Sequence, residues 1–364
     1  MPSPSPTVPQ VARLTTSQIA RFKRDGLLVL PGVIDPELCR QARDQMWDTI
    51  AEHWPRMQRD DPSTWQPFPE ENWRQSPSPI FQRPTGGGDP YFTGIGHRMM
   101  IANGAEDLLL DIGARSLWDI AEQLMGKGEV VWPAGLDASG CTSGPCFLTE
   151  DAAATMETHL GPEGTTWTGE GTGKTEELRL PKTGPHWFTA QGTRGMYCTL
   201  PNSPDPGPNH PGAHGGEGIN DEGRWKIQTA VYFDDLPPAA GGLHLWPGSH
   251  TRIWDAWSQE PGEWRTNRYG KQTQKRSGYT SVPIPEIKAD TPPVDTHGPA
   301  GSVVLWHSTM LHMVGRNTMP DVIRQATIYA FAKTPESVPD DLVRSSPSGD
   351  IWRDWSDEVR AITE

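Results

Sequence analysis

The sequence predicts a mainly β protein with flanking helices, an α+β chain whose centre is a β-sandwich or jelly roll. Three observations carry this. Helical periodicity is confined to the part before about residue 128. From about 129 onward, short apolar runs alternate with connections rich in Gly and Pro, the pattern of antiparallel β folds. The chain holds 38 glycines and 37 prolines beside 16 tryptophans, so it is rich in turns yet well supplied for a core. At 364 residues it can bury that core as one large domain.

Residues 1–13, opening Met1-Pro-Ser-Pro-Ser-Pro, are expected to form a disordered tail, and 14–364 a single domain. Within it, 14–128 form a helical part, 129–335 the β core and 336–364 a C-terminal extension. Thr16 to Arg24 reads as a short capped helix closed by Gly26. Leu27–Leu30 is a buried strand ending at Pro31-Gly32. Asp35-Pro36-Glu37 starts a longer helix, with Asp as cap, Pro in the first turn and an acidic residue favoured by the helix dipole. Leu38, Ala42, Met46 and Ile50 recur every four residues and give that helix one buried stripe.

Residues 55–100 are rich in Trp, Pro and Gly and show no sustained period, whereas 105–125 read as helical with Leu109, Ile112, Leu117, Ile120 and Leu124 as core face. Six strands are expected after that: Glu129–Trp132, Gly195–Leu200, Trp225–Phe233, Gly242–Trp246, Ser302–Trp306 and Gln325–Phe331. Between the first two lies an insertion, 135–185. Loops of this length are uncommon unless functional, so it is a candidate cover for the site.

A net charge of −14, from 32 basic and 46 acidic residues, argues against a nucleic-acid-wrapping or anionic-membrane surface. No apolar run approaches bilayer length and the N-terminus lacks a signal-peptide layout, so the expectation is a cytoplasmic protein. The four cysteines form neither a zinc pattern nor a disulfide framework, although Cys141 and Cys146 could pair within a loop.

Three segments gather the chemistry. The first runs Tyr232-Phe-Asp-Asp-Leu-Pro-Pro-Ala-Ala-Gly-Gly-Leu-His-Leu-Trp-Pro-Gly-Ser-His250, strand, turn, strand and corner. The second is Gly301-Ser-Val-Val-Leu-Trp-His-Ser-Thr-Met-Leu-His312-Met-Val-Gly-Arg-Asn317, a strand and a histidine-bearing turn. The third is Arg324, opening the apolar run after it. Together with the opening Gly26-Leu-Leu-Val-Leu-Pro-Gly-Val-Ile-Asp-Pro-Glu-Leu, they resemble the phytanoyl-CoA dioxygenase family of Fe(II)/2-oxoglutarate oxygenases. The resemblance covers about half of the chain and leaves the insertion unplaced.

The resemblance implies a double-stranded β-helix, the cupin-like jelly roll, with iron at its open end. It makes His312 the distal iron ligand and Arg324 the partner of the 2-oxoglutarate C5 carboxylate, with Tyr197 and Thr199 on the strand Gly195–Leu200 beside that cofactor. Neutral imidazole suits Fe(II), and a guanidinium meets a carboxylate through two parallel hydrogen bonds. Without the surrounding motifs, His312 would be a satisfied turn histidine and Arg324 a surface charge. His307 and His250 match positions outside the iron shell and are read as structural.

The proximal ligand is the informative place. Eleven histidines lie along the chain, and none is followed two residues later by Asp or Glu, the usual His-x-Asp/Glu pair of such iron sites. The stretch where the resemblance puts that pair is Asn209-His-Pro-Gly-Ala-His-Gly-Gly-Glu217. His210 with Gly212 is preferred, because the family often carries a second histidine four residues on; His214 with Gly216 is the other register. His159 and His186 lie too far upstream.

Either register resembles the Fe(II)/2-oxoglutarate halogenases, in which Gly or Ala replaces the carboxylate and chloride binds iron. The implied cofactors are Fe(II), 2-oxoglutarate and chloride, with O2 as co-substrate. The implied chemistry is hydrogen abstraction from an unactivated C–H bond and radical rebound of chlorine. Competing with this, Glu217 or Asp221 on the same segment could complete the usual triad and give a hydroxylase. A degenerate site serving as a binding module, or a cupin-like isomerase or hydrolase, would leave Arg324 without a purpose.

The expected substrate is a freestanding small metabolite of secondary metabolism, such as an amino acid, alkaloid or nucleotide, under a pocket covered by the Trp-rich 55–75 region and the insertion. No carrier-protein dock is indicated. Arg194, Lys226 and Arg265 could meet a nucleotide phosphate, or could be solvated surface charges.

Overall fold

Local chemistry fixes the N-terminal elements before any packing does. The structure, a computed structural model, describes residues 8–68, 91–95, 97–102, 106–131, 166–167, 178–179, 196–204, 225–259, 264–266, 272–274, 284–337 and 349–363. Helix α1 (Thr16–Asp25) opens on a capping box: the Thr15 hydroxyl accepts from the Gln18 N–H, and the Gln18 side chain accepts from the Thr15 N–H. Gly26 closes it at φ 77°, and a β carbon there would lie 2.4 Å from the His250 ring. Strand β1 (Leu27–Leu30) follows. Helix α2 (Pro36–His53) is capped by the Asp35 carboxylate and buries Ala42, Met46 and Ile50, with Leu38 half-buried.

Two expectations change in the next stretch. Residues 55–100 contain a hairpin, β2 (Tyr91–Ile95) and β3 (Arg98–Ala102), which extends the main sheet. The helical region 105–125 is two helices, α3 (Glu106–Gly113) and α4 (Trp118–Met125), joined by a 3-10 turn at Arg115–Leu117. Side chains take the carbonyls at the break: Thr229 Oγ1 donates to Gly113 O at 2.9 Å and Ser116 Oγ to Ile112 O at 3.0 Å. The expected core face, Leu109, Ile112, Leu117, Ile120 and Leu124, is buried throughout.

The β core consists of β4 (Met196–Thr199), β5 (Trp225–Tyr232), β6 (Leu243–Leu245), β7 (Val294–Asp295), β8 (Val303–His307), β9 (His312–Val314) and β10 (Arg324–Ala332). Between them lie α5 (Ser249–Gln259) and α6 (Ile284–Asp290), and α7 (Asp357–Ala361) comes last. The expected strand Glu129–Trp132 reduces to one bridge, Val130 with Lys333, among the described residues. Of the 135–185 insertion, only Thr166–Trp167 paired with Leu178–Arg179 is described.

A seven-stranded antiparallel sheet runs β1-β8-β5-β10-β4-β3-β2, and a three-stranded antiparallel sheet runs β7-β6-β9. Their facing side chains form one cluster: Leu27, Ala230, Tyr232, Leu243, Leu245, Val304, Trp306 and Ala326. This is the jelly roll that the strand pattern predicts. The opposite face of the large sheet carries Leu28, Ile227, Val231, Val303, Leu305, Tyr329 and Phe331 against α1–α4. The large sheet is therefore the middle of three layers, buried on both sides, and residue parity decides which layer a side chain enters.

Residues 10–11 and 352–359 join the helical layer. Inside the expected disordered tail, the Val11 N–H donates to Ser116 O at 2.9 Å and Gln10 Nε2 to Arg115 O at 2.8 Å. In the C-terminal extension, Trp352, Trp355 and Val359 are core residues. Cys39 and Cys198 are free and buried, and burial pushes both thiols up to about 12, which leaves them inert. Cys141 and Cys146 lie outside the described residues. Among the described residues, no helix is long and apolar enough to cross a membrane.

Candidate active site

The inner face of the large sheet collects polar side chains at one end. On β4, Met196 and Cys198 face the helices, so Tyr197 and Thr199 alternate toward the small sheet. Arg324 opens β10 opposite Thr199, on the same face as Ala326. The residue is 3% exposed, which rules out the surface-charge reading. Nη2 donates to Thr199 Oγ1 at 2.9 Å, Nη1 to Tyr197 O at 3.0 Å and Nε to Gly241 O at 3.2 Å. These three neutral acceptors aim the planar fork, a group whose geometry matches a carboxylate.

The surrounding turns are pinned. Asn317 Nδ2 donates to Thr199 O (3.1 Å) and Val322 O (2.7 Å), tying the end of β4 to the approach of β10. Gly241 and Gly242 let the chain pass close: a β carbon on Gly242 would lie 1.8 Å from Thr296 O, and the Gly315 N–H donates to Gly242 O at 2.7 Å. The Tyr232 hydroxyl accepts from Leu243 N–H at 2.9 Å and shares a hydrogen with Thr296 Oγ1 at 2.7 Å, which locks strand β6 over β5.

His312 opens β9 in register with Leu245, an inner-face residue. It is buried, and its Nδ1 donates to the Met310 carbonyl at 2.9 Å. A carbonyl only accepts, so Nδ1 holds the hydrogen and Nε2 the lone pair, the tautomer that binds a metal through Nε2. The ring lies against Trp306, centroids 5.3 Å apart.

His307 and His250 belong to the other layer. His307 Nδ1 accepts from the Thr309 N–H at 3.1 Å, and its ring stacks on Trp355 at 5.1 Å with His250 at 5.5 Å. His250 Nε2 donates to Lys23 O at 3.0 Å. Burial pushes His250 down to about 4 and His307 well below its usual range, with His250 and Lys226 adding to the latter. Both rings are structural.

Lys226 needs a correction: it is neither a phosphate contact nor a surface charge. It is buried and pairs with Asp354 at 2.7 Å, and Lys333, itself paired with Glu129 at 2.6 Å, donates to the Asp354 carbonyl. Of the Trp-rich 55–75 segment, residues 55–68 are described and 69–75 lie outside the described residues. Trp65 packs on Trp47 (5.7 Å) and Trp54 on Phe68 (5.0 Å), against the helical core.

His210, Gly212, His214, Gly216, Glu217 and Asp221 lie outside the described residues, as does Arg194. Arg265 lies on the short strand Trp264–Thr266. Among the described residues, no group of three or more His, Cys, Asp and Glu side chains forms a metal site. Arg324, Tyr197 and Thr199 are brought together at one end of the large sheet's inner face, and His312 enters the layer between the sheets from the small sheet. Trp306 lies beside His312, with no sequence signal to separate it from the other tryptophans.

Residues 193–326 match the model of the family described as Phytanoyl-CoA dioxygenase (PhyH). That segment runs from just before β4 into β10. No curated protein matches the chain. Among solved structures, the non-heme alpha ketoglutarate dependent carbocyclase SnoK from nogalamycin biosynthesis shares 11% identity over 89% of this chain and 86% of its own, at a TM-score of 0.38. EctD from S. alaskensis shares 14% over 91% and 83%, at 0.38. EvdO2 from Micromonospora carbonacea var. aurantiaca, complexed with 2-oxoglutarate, shares 14% over 90% and 94%, at 0.37. Similarities at this level decide nothing about reaction or substrate.

Proposed function

We propose that this chain, with its phytanoyl-CoA dioxygenase domain, is an Fe(II)/2-oxoglutarate-dependent halogenase that chlorinates an unactivated C–H bond of a freestanding small molecule. One observation carries the reading. Both candidate proximal histidines, His210 and His214, have glycine where the iron carboxylate would stand, while His312 and Arg324 remain in place. An Asp side chain would fill a coordination position and bring a negative charge. Glycine leaves room for an anion instead.

The residues present fit the groups this reading needs. His312 offers Nε2 to the metal, with its tautomer fixed by Met310. Arg324, held by Thr199 and Tyr197, receives the far carboxylate of 2-oxoglutarate. Iron with 2-oxoglutarate supplies, when bound, the oxidant that removes a substrate hydrogen. The chain binds and orients, and the apolar inner layer of Leu245, Val304 and Ala326 excludes water behind the metal ligand.

The test is anaerobic reconstitution with Fe(II), 2-oxoglutarate and chloride, then oxygen in the presence of pooled metabolites that include amino acids, alkaloids and nucleotides. A product with the chlorine isotope pattern supports the reading. Products that gain only oxygen sink it and favour a hydroxylase with Glu217 or Asp221 as third ligand. Gly212→Asp and Gly216→Asp then identify the register, because only the correct one removes halide dependence.

A further inference from the structure

Trp306 faces the inner layer from β8 and is 1% exposed. Its ring lies beside His312 at 5.3 Å and 52°. The indole Nε1–H is buried and has no hydrogen-bond partner among the described residues. Buried indole N–H groups usually find an acceptor. Apolar members of its cluster include Leu27, Leu245, Val304, Met310 and Ala326, and Gln228, its cross-strand partner on β5, is a buried polar side chain of the same face; the Nε1–H bonds to none of them. Phenylalanine would fill the layer without leaving a donor stranded.

Other buried polar atoms lack partners, but they sit elsewhere. Trp246 Nε1 belongs with Ile253, Ile287 and Leu311 behind the small sheet. Trp355 Nε1, His307 Nε2 and Tyr329 Oη belong to the helical layer. Trp306 Nε1 is the one whose ring touches the metal-competent histidine.

We propose that Trp306 is the hydrogen-bond donor to the anion that shares the metal with His312, and that this anion is chloride. The inference rests on the halogenase reading above. An indole N–H donates and cannot accept, so it favours an anion. In an apolar, low-dielectric layer its hydrogen bond is stronger than in water. Trp306 is a positioning residue: removing its N–H weakens halide binding and leaves 2-oxoglutarate, held at Arg324, unaffected.

The experiment uses the full chain under anaerobic conditions. Protein labelled with nitrogen-15 at the indoles is loaded with diamagnetic Zn(II) and 2-oxoglutarate, and the signal missing from Trp306→Phe identifies Trp306. Sodium chloride should move that N–H signal saturably and leave those of Trp246 and Trp355 in place. In parallel, the visible band of the Fe(II)–2-oxoglutarate protein is titrated with chloride. Trp306→Phe should weaken the apparent chloride affinity about tenfold, the size expected of one hydrogen bond, with 2-oxoglutarate affinity unchanged. If the phenylalanine variant misfolds, benzothienylalanine at position 306 keeps the ring shape and removes only the N–H.

Equal chloride binding by wild type and variant, with a stationary N–H signal, overturns the role of Trp306 and leaves the halogenase reading standing. A signal that moves with 2-oxoglutarate alone makes a carboxylate the acceptor and also overturns it. Wild-type protein whose iron band ignores chloride removes the halogenase reading itself.

Discussion

His307 and His312 are separated by one tight turn, and the structure treats them as opposites. His312 faces the inner layer and donates from Nδ1, so its lone pair is on Nε2. His307 faces the helical layer and accepts at Nδ1 from the Thr309 N–H, so its hydrogen is on Nε2. One would hold the metal in the proposed function; the other is wedged between Trp352 and Trp355. A histidine's neighbours in sequence say little about its role. The backbone group that meets Nδ1, and the layer the ring enters, say most of it.

The sharpest way to break this comparison is to exchange losses between the two layers. His312→Ala should lower Fe(II) affinity by roughly 100-fold or more, beyond the usual effect of altering a group behind a ligand; metal content after anaerobic desalting measures it. Retained iron would show that His312 is not a ligand. Next in size is the helical layer. Asp354→Asn leaves Lys226 buried beside a neutral partner, at a cost of about 3–5 kcal/mol of stability. Urea melts should show that loss while 2-oxoglutarate affinity of the folded fraction stays the same.

Arg324→Gln should weaken 2-oxoglutarate binding by about 10–100-fold, since it removes a charge-assisted pair of hydrogen bonds. Anaerobic titration of the iron–2-oxoglutarate band gives the value, and iron content should not change. A further effect concerns pH. Burial pushes His250 down to about 4 and His307 well below its usual value, so both are neutral when folded. The unfolded chain protonates both near 6.5. Stability is therefore full above that pH and is lost as pH falls toward about 4, by up to ~1.4 kcal/mol per pH unit for each ring. Melts from neutral pH down to about 5 should show the slope, and His307→Phe should flatten it. An unchanged slope would place the titrating groups elsewhere.

Much of the fold was legible because its signals are local. The α2 stripe and the cap at Asp35 follow from spacing and residue type. The hairpin of β2 and β3 was not, because Tyr-Phe-Thr-Gly-Ile and Arg-Met-Met-Ile-Ala show no clean alternation and gain their order by pairing with β4. The break at Gly113 depends on a hydroxyl from Thr229, far along the chain. Arg324, Tyr197, Thr199 and His312 could be named from motifs, whereas the stranded N–H of Trp306 is a property of packing that no spacing encodes. Lys226 was misread for the same reason: its partner, Asp354, is distant in sequence.

The large sheet sorts its residues by parity, and this bears on how such a protein can change over generations. Along β10, Arg324, Ala326 and Ile328 face the layer between the sheets, while Tyr329 and Phe331 hold the helices. Substitutions at alternate positions therefore fall under different selection. One set can drift toward new ligands while the other keeps the chain folded, so a mutational scan along this strand should oscillate with a period of two between lost turnover and lost yield.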